Sequence, residues 1–210
     1  MKNIVKLALS GIVLYNLIPE TKSRHKPKLP NKKNLTFENP YVIEEPEISL
    51  ALYGELTGKP HYYKIDSKEK FDFYVGILTP LLKSEEDTKD SQEDSLDPKN
   101  KVYFKILDED KKEIIFKGYQ TGILKDHEWV PWYEEYGKQW YWTGPQIGKE
   151  FKHDNKFKDY NEGEYYIKVF NEVNKGKYSL AVGHQEKFSF WDILKLPFIL
   201  PKINKLWDEK

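Results

Sequence analysis

Apolar and polar residues alternate along several short stretches of this chain. Ile48, Leu50 and Leu52 fall at every second position, as do Phe71, Phe73, Val75 and Ile77. The same period runs through Val102, Phe104 and Ile106, then Tyr165, Ile167 and Val169, then Tyr178, Leu180 and Val182. Successive side chains of a strand point to opposite faces, so each run predicts a strand with one buried face. His61-Tyr62-Tyr63-Lys64-Ile65-Asp66 adds a strand, and residues 113–117 return as another after the polar turn Asp108-Glu109-Asp110-Lys111. Gly54 is expected to end the first strand, and a polar turn after Asn171 to join the last two as a hairpin. Short strands with polar turns and no alternating helices predict an all-β fold, an antiparallel β-sandwich rather than a βαβ array.

The two ends break this pattern. Lys2 and Lys6 precede an apolar run over residues 7–18, closed by Pro19 and Glu20. A charged start, an apolar middle and a polar exit predict a signal peptide or an uncleaved signal anchor over residues 1–20, the alternative being a buried N-terminal helix of a cytosolic protein. Residues 21–39 are rich in Lys, Asn and Pro, including Pro27 and Pro30, and read as a linker. The sandwich is assigned to residues 40–186 and an amphipathic tail to residues 187–210. In that tail Ser189 is a candidate helix cap. Trp191, Leu194 and Phe198 share a helical face beside Lys195, and Trp207 follows. Aromatics, aliphatics and lysines together suit a helix lying in a membrane interface, which makes these four apolar residues candidate membrane contacts; the alternative, which ranks above it, is a terminal helix that packs on the sandwich. Pro197 and Pro201 are expected to break the tail into short pieces.

Residues 127–145 are unusual. They hold Trp129, Trp132, Trp140 and Trp142, four of the chain's 6 tryptophans, together with Tyr133 and the loop punctuation Gly137 and Gly144-Pro145. A long loop is expected. Its aromatics either fold back on themselves or present faces that stack on sugar rings or a partner, which makes these five residues candidate ligand contacts. Residues 83–101 are acidic and nearly free of apolar side chains, and read as a solvated loop. Asp90, Asp94 and Asp97 lack the spacing and glycine of a calcium-binding EF-hand loop.

Composition narrows the field. Lys+Arg and Asp+Glu are 34 each, so the chain lacks the basic excess of a general nucleic-acid binder. There are 15 Tyr and 6 Trp, residues with an apolar body and a polar tip that suit sheets with one wet face. The absence of Cys excludes disulfides, thiolate metal sites, cysteine nucleophiles and lipid anchoring at a cysteine.

The strand Tyr62-Tyr63-Lys64-Ile65, then Phe71-Asp72-Phe73-Tyr74-Val75, closed by Gly163-Glu164-Tyr165-Tyr166-Ile167-Lys168-Val169 and Gly176-Lys177-Tyr178-Ser179-Leu180, resembles a pre-peptidase C-terminal type domain. The resemblance spans about residues 46–183. It implies a jelly-roll sandwich that accompanies exported enzymes and carries no catalytic residues of its own. The Trp-rich insertion, Leu180-Ala181-Val182-Gly183 and the Leu196-Pro197 and Leu200-Pro201 pairs are also similar to a family of stand-alone exported prokaryotic proteins.

Catalytic motifs are missing. His25, His61, His127, His153 and His184 are scattered, and no zinc-protease, nucleophile-elbow or phosphate-loop pattern occurs. The expectation is a non-catalytic, exported, membrane-associated binding domain without metal or cofactor. Its partners would be a protein or cell-envelope component and the membrane surface, not nucleic acid. A carbohydrate-binding module using the Trp-rich segment is the alternative. A glycan hydrolase using Glu128, Glu134 or Glu135 ranks below it.

Overall fold

The alternating runs become strands of two sheets in a computed structural model that describes residues 25–31, 33, 35–81, 98, 100–114, 129–134, 139–148 and 163–208. Along the chain these are β1 (Lys26–Lys28), β2 (Tyr41–Ile43), β3 (Leu50–Thr57), β4 (His61–Ser67) and β5 (Tyr74–Pro80). They are followed by β6 (Tyr103–Leu107), β7 (Val130–Glu134), β8 (Gln139–Gly148), β9 (Gly163–Phe170), β10 (Lys175–Val182) and a helix, α1 (Phe190–Asp208). One sheet has six strands in the order β1-β3-β10-β5-β8-β7, the other four in the order β2-β4-β9-β6. The fold is all-β and sandwich-like apart from α1. The sheets are mixed rather than purely antiparallel, because β1 runs parallel to β3 and β2 parallel to β4.

The core lies between the sheets, where the period-two positions meet. Leu52, Val75, Ile77, Leu180 and Val182 from the six-stranded sheet join Tyr63, Ile65, Phe104, Ile106 and Ile167 from the four-stranded one in a single buried cluster. Each fully buried aliphatic or aromatic side chain of this kind contributes roughly 1.5–3 kcal/mol of transfer free energy. A polar link also crosses the core. The Tyr178 hydroxyl sits 2.7 Å from His61 Nδ1 and 2.7 Å from the Tyr63 hydroxyl, all three buried.

That link explains why Gly54 does not end β3. A Cβ at Gly54 would lie 2.5 Å from the Tyr178 hydroxyl, so the glycine is where the Tyr178 ring fits, in the middle of a continuous strand.

Two further expectations change. The closing pair β9 and β10 is not a hairpin. β9 pairs with β4 and β6, and β10 pairs with β3 and β5, so the turn between them crosses from one sheet to the other. Part of the stretch read as a linker is packed: β1 pairs with β3, and Leu35 belongs to the core. The apolar run over residues 7–18 and most of the acidic segment 83–101 lie outside the described residues.

Candidate functional site

The Trp-rich segment is a hairpin, not a loop. β7 pairs antiparallel with β8 at the edge of the six-stranded sheet, with Tyr133 opposite Trp140 and Trp132 opposite Tyr141. Gly144 and Pro145, read as breakers, sit at a register shift between β8 and β5, where an extra residue needs no ladder donor. The shift also makes room for Trp129. A Cβ at Gly144 would come within 2.5 Å of the Trp129 ring, which packs there and against Tyr103.

The hairpin therefore divides the five candidate ligand residues. Trp129 and Trp142 are buried core residues and present no face to solvent. Trp132 and Tyr133 are exposed, at 39% and 38%, and Trp140 is half-buried against Tyr133 with ring centroids 5.1 Å apart. Trp132 and Trp140 lean to opposite faces of the ribbon, as neighbours of alternating strand positions must. A stacking platform of five rings is thus not assembled here. Of the three carboxylates considered for hydrolysis, only Glu134 is among the described residues.

The second candidate region is α1. Pro197 and Pro201 lie inside one continuous 19-residue helix instead of breaking it. An interior proline costs about 3 kcal/mol through its missing N–H and its clash with the preceding turn. Here both prolines are exposed, and both helix ends are tied down. At the N-terminus Ser189 and Asp192 form a reciprocal cap. The Asp192 N–H donates to Ser189 Oγ at 3.2 Å, and the Ser189 N–H donates to Asp192 Oδ2 at 2.9 Å. Lys26 of β1 adds an ion pair to Asp192 at 2.8 Å. Burial alone would raise the Asp192 pKa, but the hydrogen bonds from Lys26 and Ser189 and the Lys26 charge outweigh it and hold the carboxyl well below its usual range.

At the C-terminal end Ile203 and Leu206 are buried. Trp207 meets Tyr53 of β3 and Tyr141 of β8 edge-on, at 5.6 Å and 5.9 Å. Both phenols belong to the covered outer face of the six-stranded sheet. Burial, then the Glu134 charge, pushes Tyr53 up to about 12, with hydrogen bonds to Tyr141 and Ser179 opposing. Burial likewise holds Tyr141 far above the ordinary phenol range.

The opposite side of α1 faces solvent. Trp191, Lys195, Phe198, Lys202 and Lys205 recur at spacings of four and three and are all exposed, so they form one stripe about 20 Å long. Trp191 is 67% and Phe198 74% exposed. Leu194 borders the stripe and is half-buried, whereas Trp207 turns toward the sheet. Of the four candidate membrane contacts, three remain on or beside the outer stripe and one does not. No helix among the described residues is long and apolar enough to cross a membrane.

A third feature escaped the sequence reading. On the outer face of the four-stranded sheet a cleft of about 280 Å³ is lined by Phe37, Tyr62, Lys105, Lys111, Glu113 and Lys168, with Leu107. The alternation that marked Ile106 and Ile167 as core also placed Lys105 and Lys168 outside. Only the strand register, unreadable from one sequence, sets them directly opposite each other. Among the described residues no group of three or more His, Asp or Glu side chains is placed to hold a metal ion. His127, His153, Glu128 and the acidic trio Asp90, Asp94 and Asp97 lie outside the described residues.

No protein-family model matches this chain, and no curated protein matches it either. The functional reading therefore rests on the molecule itself.

Proposed function

We propose that this protein is a non-catalytic, exported binding domain that rests on an anionic membrane surface through the outward stripe of α1. The observation that carries the reading is the stripe itself: two large exposed apolar rings interleaved with three lysines and, among the described residues, no carboxylate. Rings of this kind insert at the acyl boundary while lysines meet anionic headgroups, each worth about 1 kcal/mol near the surface. Asp192, the acidic residue of the first turn, is turned aside and neutralised by Lys26. The signal-like pattern of residues 1–20 supports placement on the extracytoplasmic side of the cell envelope.

The finer fold reading is a jelly roll of the pre-peptidase C-terminal type. Support comes from the nesting of the strand pairs: β3 with β10, β4 with β9 and β5 with β8. Two interleaved Greek keys produce such nesting, and consecutive strands then fall in opposite sheets, as they do here except in the β7–β8 hairpin.

The test is co-sedimentation of the full chain with lipid vesicles. It should pellet with vesicles rich in phosphatidylglycerol and stay in solution with phosphatidylcholine alone. The pair Trp191→Ser and Phe198→Ser should weaken binding by about tenfold or more, since each removes a buried ring from the interface. Equal binding to both vesicle types, or full binding by the double variant, would remove α1 as the contact.

A further inference from the structure

We propose that the cleft on the outer face of the four-stranded sheet binds an acidic sugar unit, a pyranose carrying one carboxylate or phosphate. Tyr62, Lys168 and Lys105 stand side by side on β4, β9 and β6, because Lys168 is registered against both neighbours. Like charges directly opposite on adjacent strands are destabilising. Lys105 is offset by Glu113, 2.7 Å away, but Lys168 has no carboxylate partner among the described residues. Farther along the same strands the pattern differs, since Lys64 and Glu164 are paired. Of the three lysines facing outward on these strands, Lys168 is thus the one without a carboxylate among the described residues, and its Nζ lies 5.1 Å from the centre of the Phe170 ring at the edge of the cleft.

Lys111 brings a third ammonium. It sits in the turn after β6 with a left-handed backbone (φ 66°), an uncommon state for a lysine. Its Nζ lies 4.0 Å from the centre of the Phe37 ring. The lining therefore holds three ammonium groups against one carboxylate, beside two aromatic side chains.

The shape narrows the ligand. A volume of about 280 Å³ is more than a bare anion fills and close to the lower bound of about 300 Å³ for small-molecule sites, which suits a single ring. Both faces of Phe37 are occupied, by Tyr166 stacked at 4.5 Å and by Lys111. A flat base has no free face there, which disfavours a stacked nucleotide. Asp108, Glu109 and Asp110 in the turn carrying Lys111, and Glu38 beside Tyr62, would repel a long polyanion. One acidic ring fits between them, its charge on Lys168 and Lys111 and its hydroxyls toward Tyr62 and Glu113.

This assignment is independent of the membrane reading, since α1 covers the outer face of the other sheet. The test is calorimetric titration of the full chain with glucuronate, glucose 6-phosphate, glucose and inorganic phosphate, on wild type and Lys168→Met. Both acidic sugars should bind, and Lys168→Met should weaken them by about tenfold while the melting temperature holds or rises, because a like-charge neighbour is gone. Lys168→Arg should retain binding. The proposal is overturned if neither acidic sugar binds, if inorganic phosphate binds as tightly as the sugars, or if Lys168→Met binds as well as wild type. A fall in melting temperature with Lys168→Met would also contradict it, by making that lysine a structural residue.

Discussion

The two outer faces of the sandwich solve the same problem in opposite ways. A sheet packed on one side leaves its other face either wet or covered. The four-stranded sheet stays wet: Lys64, Lys105 and Lys168 alternate with buried core positions along its strands. The six-stranded sheet is covered. Its outer positions include Ala51, Ala181, Tyr53 and Tyr141, which would form an apolar patch in water, and Ile203, Leu206 and Trp207 of α1 supply partners on that side. The difference teaches where each function can live. On the proposals made above, the covered face hands its contact role to the back of the covering helix, and the wet face keeps its own side chains for a ligand.

The largest expected effect tests whether α1 is integral to the covered face. Leu206→Asp would bury a carboxylate beneath the helix and should cost about 3 kcal/mol or more in denaturant unfolding. Lys168→Asp on the wet face should stay within about 0.5 kcal/mol. Equal losses on the two faces would erase the distinction.

Acid should loosen the covered side next. Burial lowers the His25 pKa from 6.5 to about 4, against the opposing Glu186 charge, while its Nδ1 lies 2.6 Å from Ser49 Oγ. A histidine held neutral in the fold loses stability as pH falls. The loss begins near 6.5, where the released chain takes a proton, and is complete near 4, where the folded site does too. It amounts to at most about 3 kcal/mol. Asp192 extends the same trend to lower pH, because its depressed pKa stabilises only while it is ionised. Amide hydrogen exchange at Lys26, whose N–H donates to the Ser49 carbonyl, should accelerate across that window, and His25→Asn should flatten the dependence. Exchange at β9 should change little.

The smallest effect is Lys168→Met, with a melting temperature unchanged or raised by roughly 1–3 °C through relief of the like-charge neighbour. A drop would show that the wet face depends on that lysine for its fold.

Much of this was legible in one sequence, for reasons that differ by element. The core positions of β6, β9 and β10 followed from alternation alone, since burial on one face imposes period two. The Ser189 cap was readable from its residue type, and the structure adds Asp192, three residues on, as its partner. Pairing was not readable. A polar turn after Asn171 serves a hairpin or a crossing between sheets equally well, and only contacts distant in sequence choose between them. Gly54 and Gly144 misled for a related reason: each makes room for a ring, Tyr178 or Trp129, far away in the chain or across the hairpin. The α1 stripe was half visible, through Trp191, Leu194 and Phe198, but the prolines hid its continuity. The cleft needed the register of three strands, which no local pattern encodes.

The account's central claim is that the covered side of the molecule meets the membrane and the wet side does not. The chain has no cysteine, so a single one can be introduced and labelled with a nitroxide at either face. With Phe198→Cys or Lys168→Cys bound to phosphatidylglycerol-rich vesicles, spin relaxation by oxygen and by a water-soluble nickel chelate reports depth. The account predicts that the label at position 198 becomes accessible to oxygen and shielded from nickel, while the label at position 168 stays open to nickel. Both labels remaining in water, or the label at position 168 entering the lipid, would contradict it.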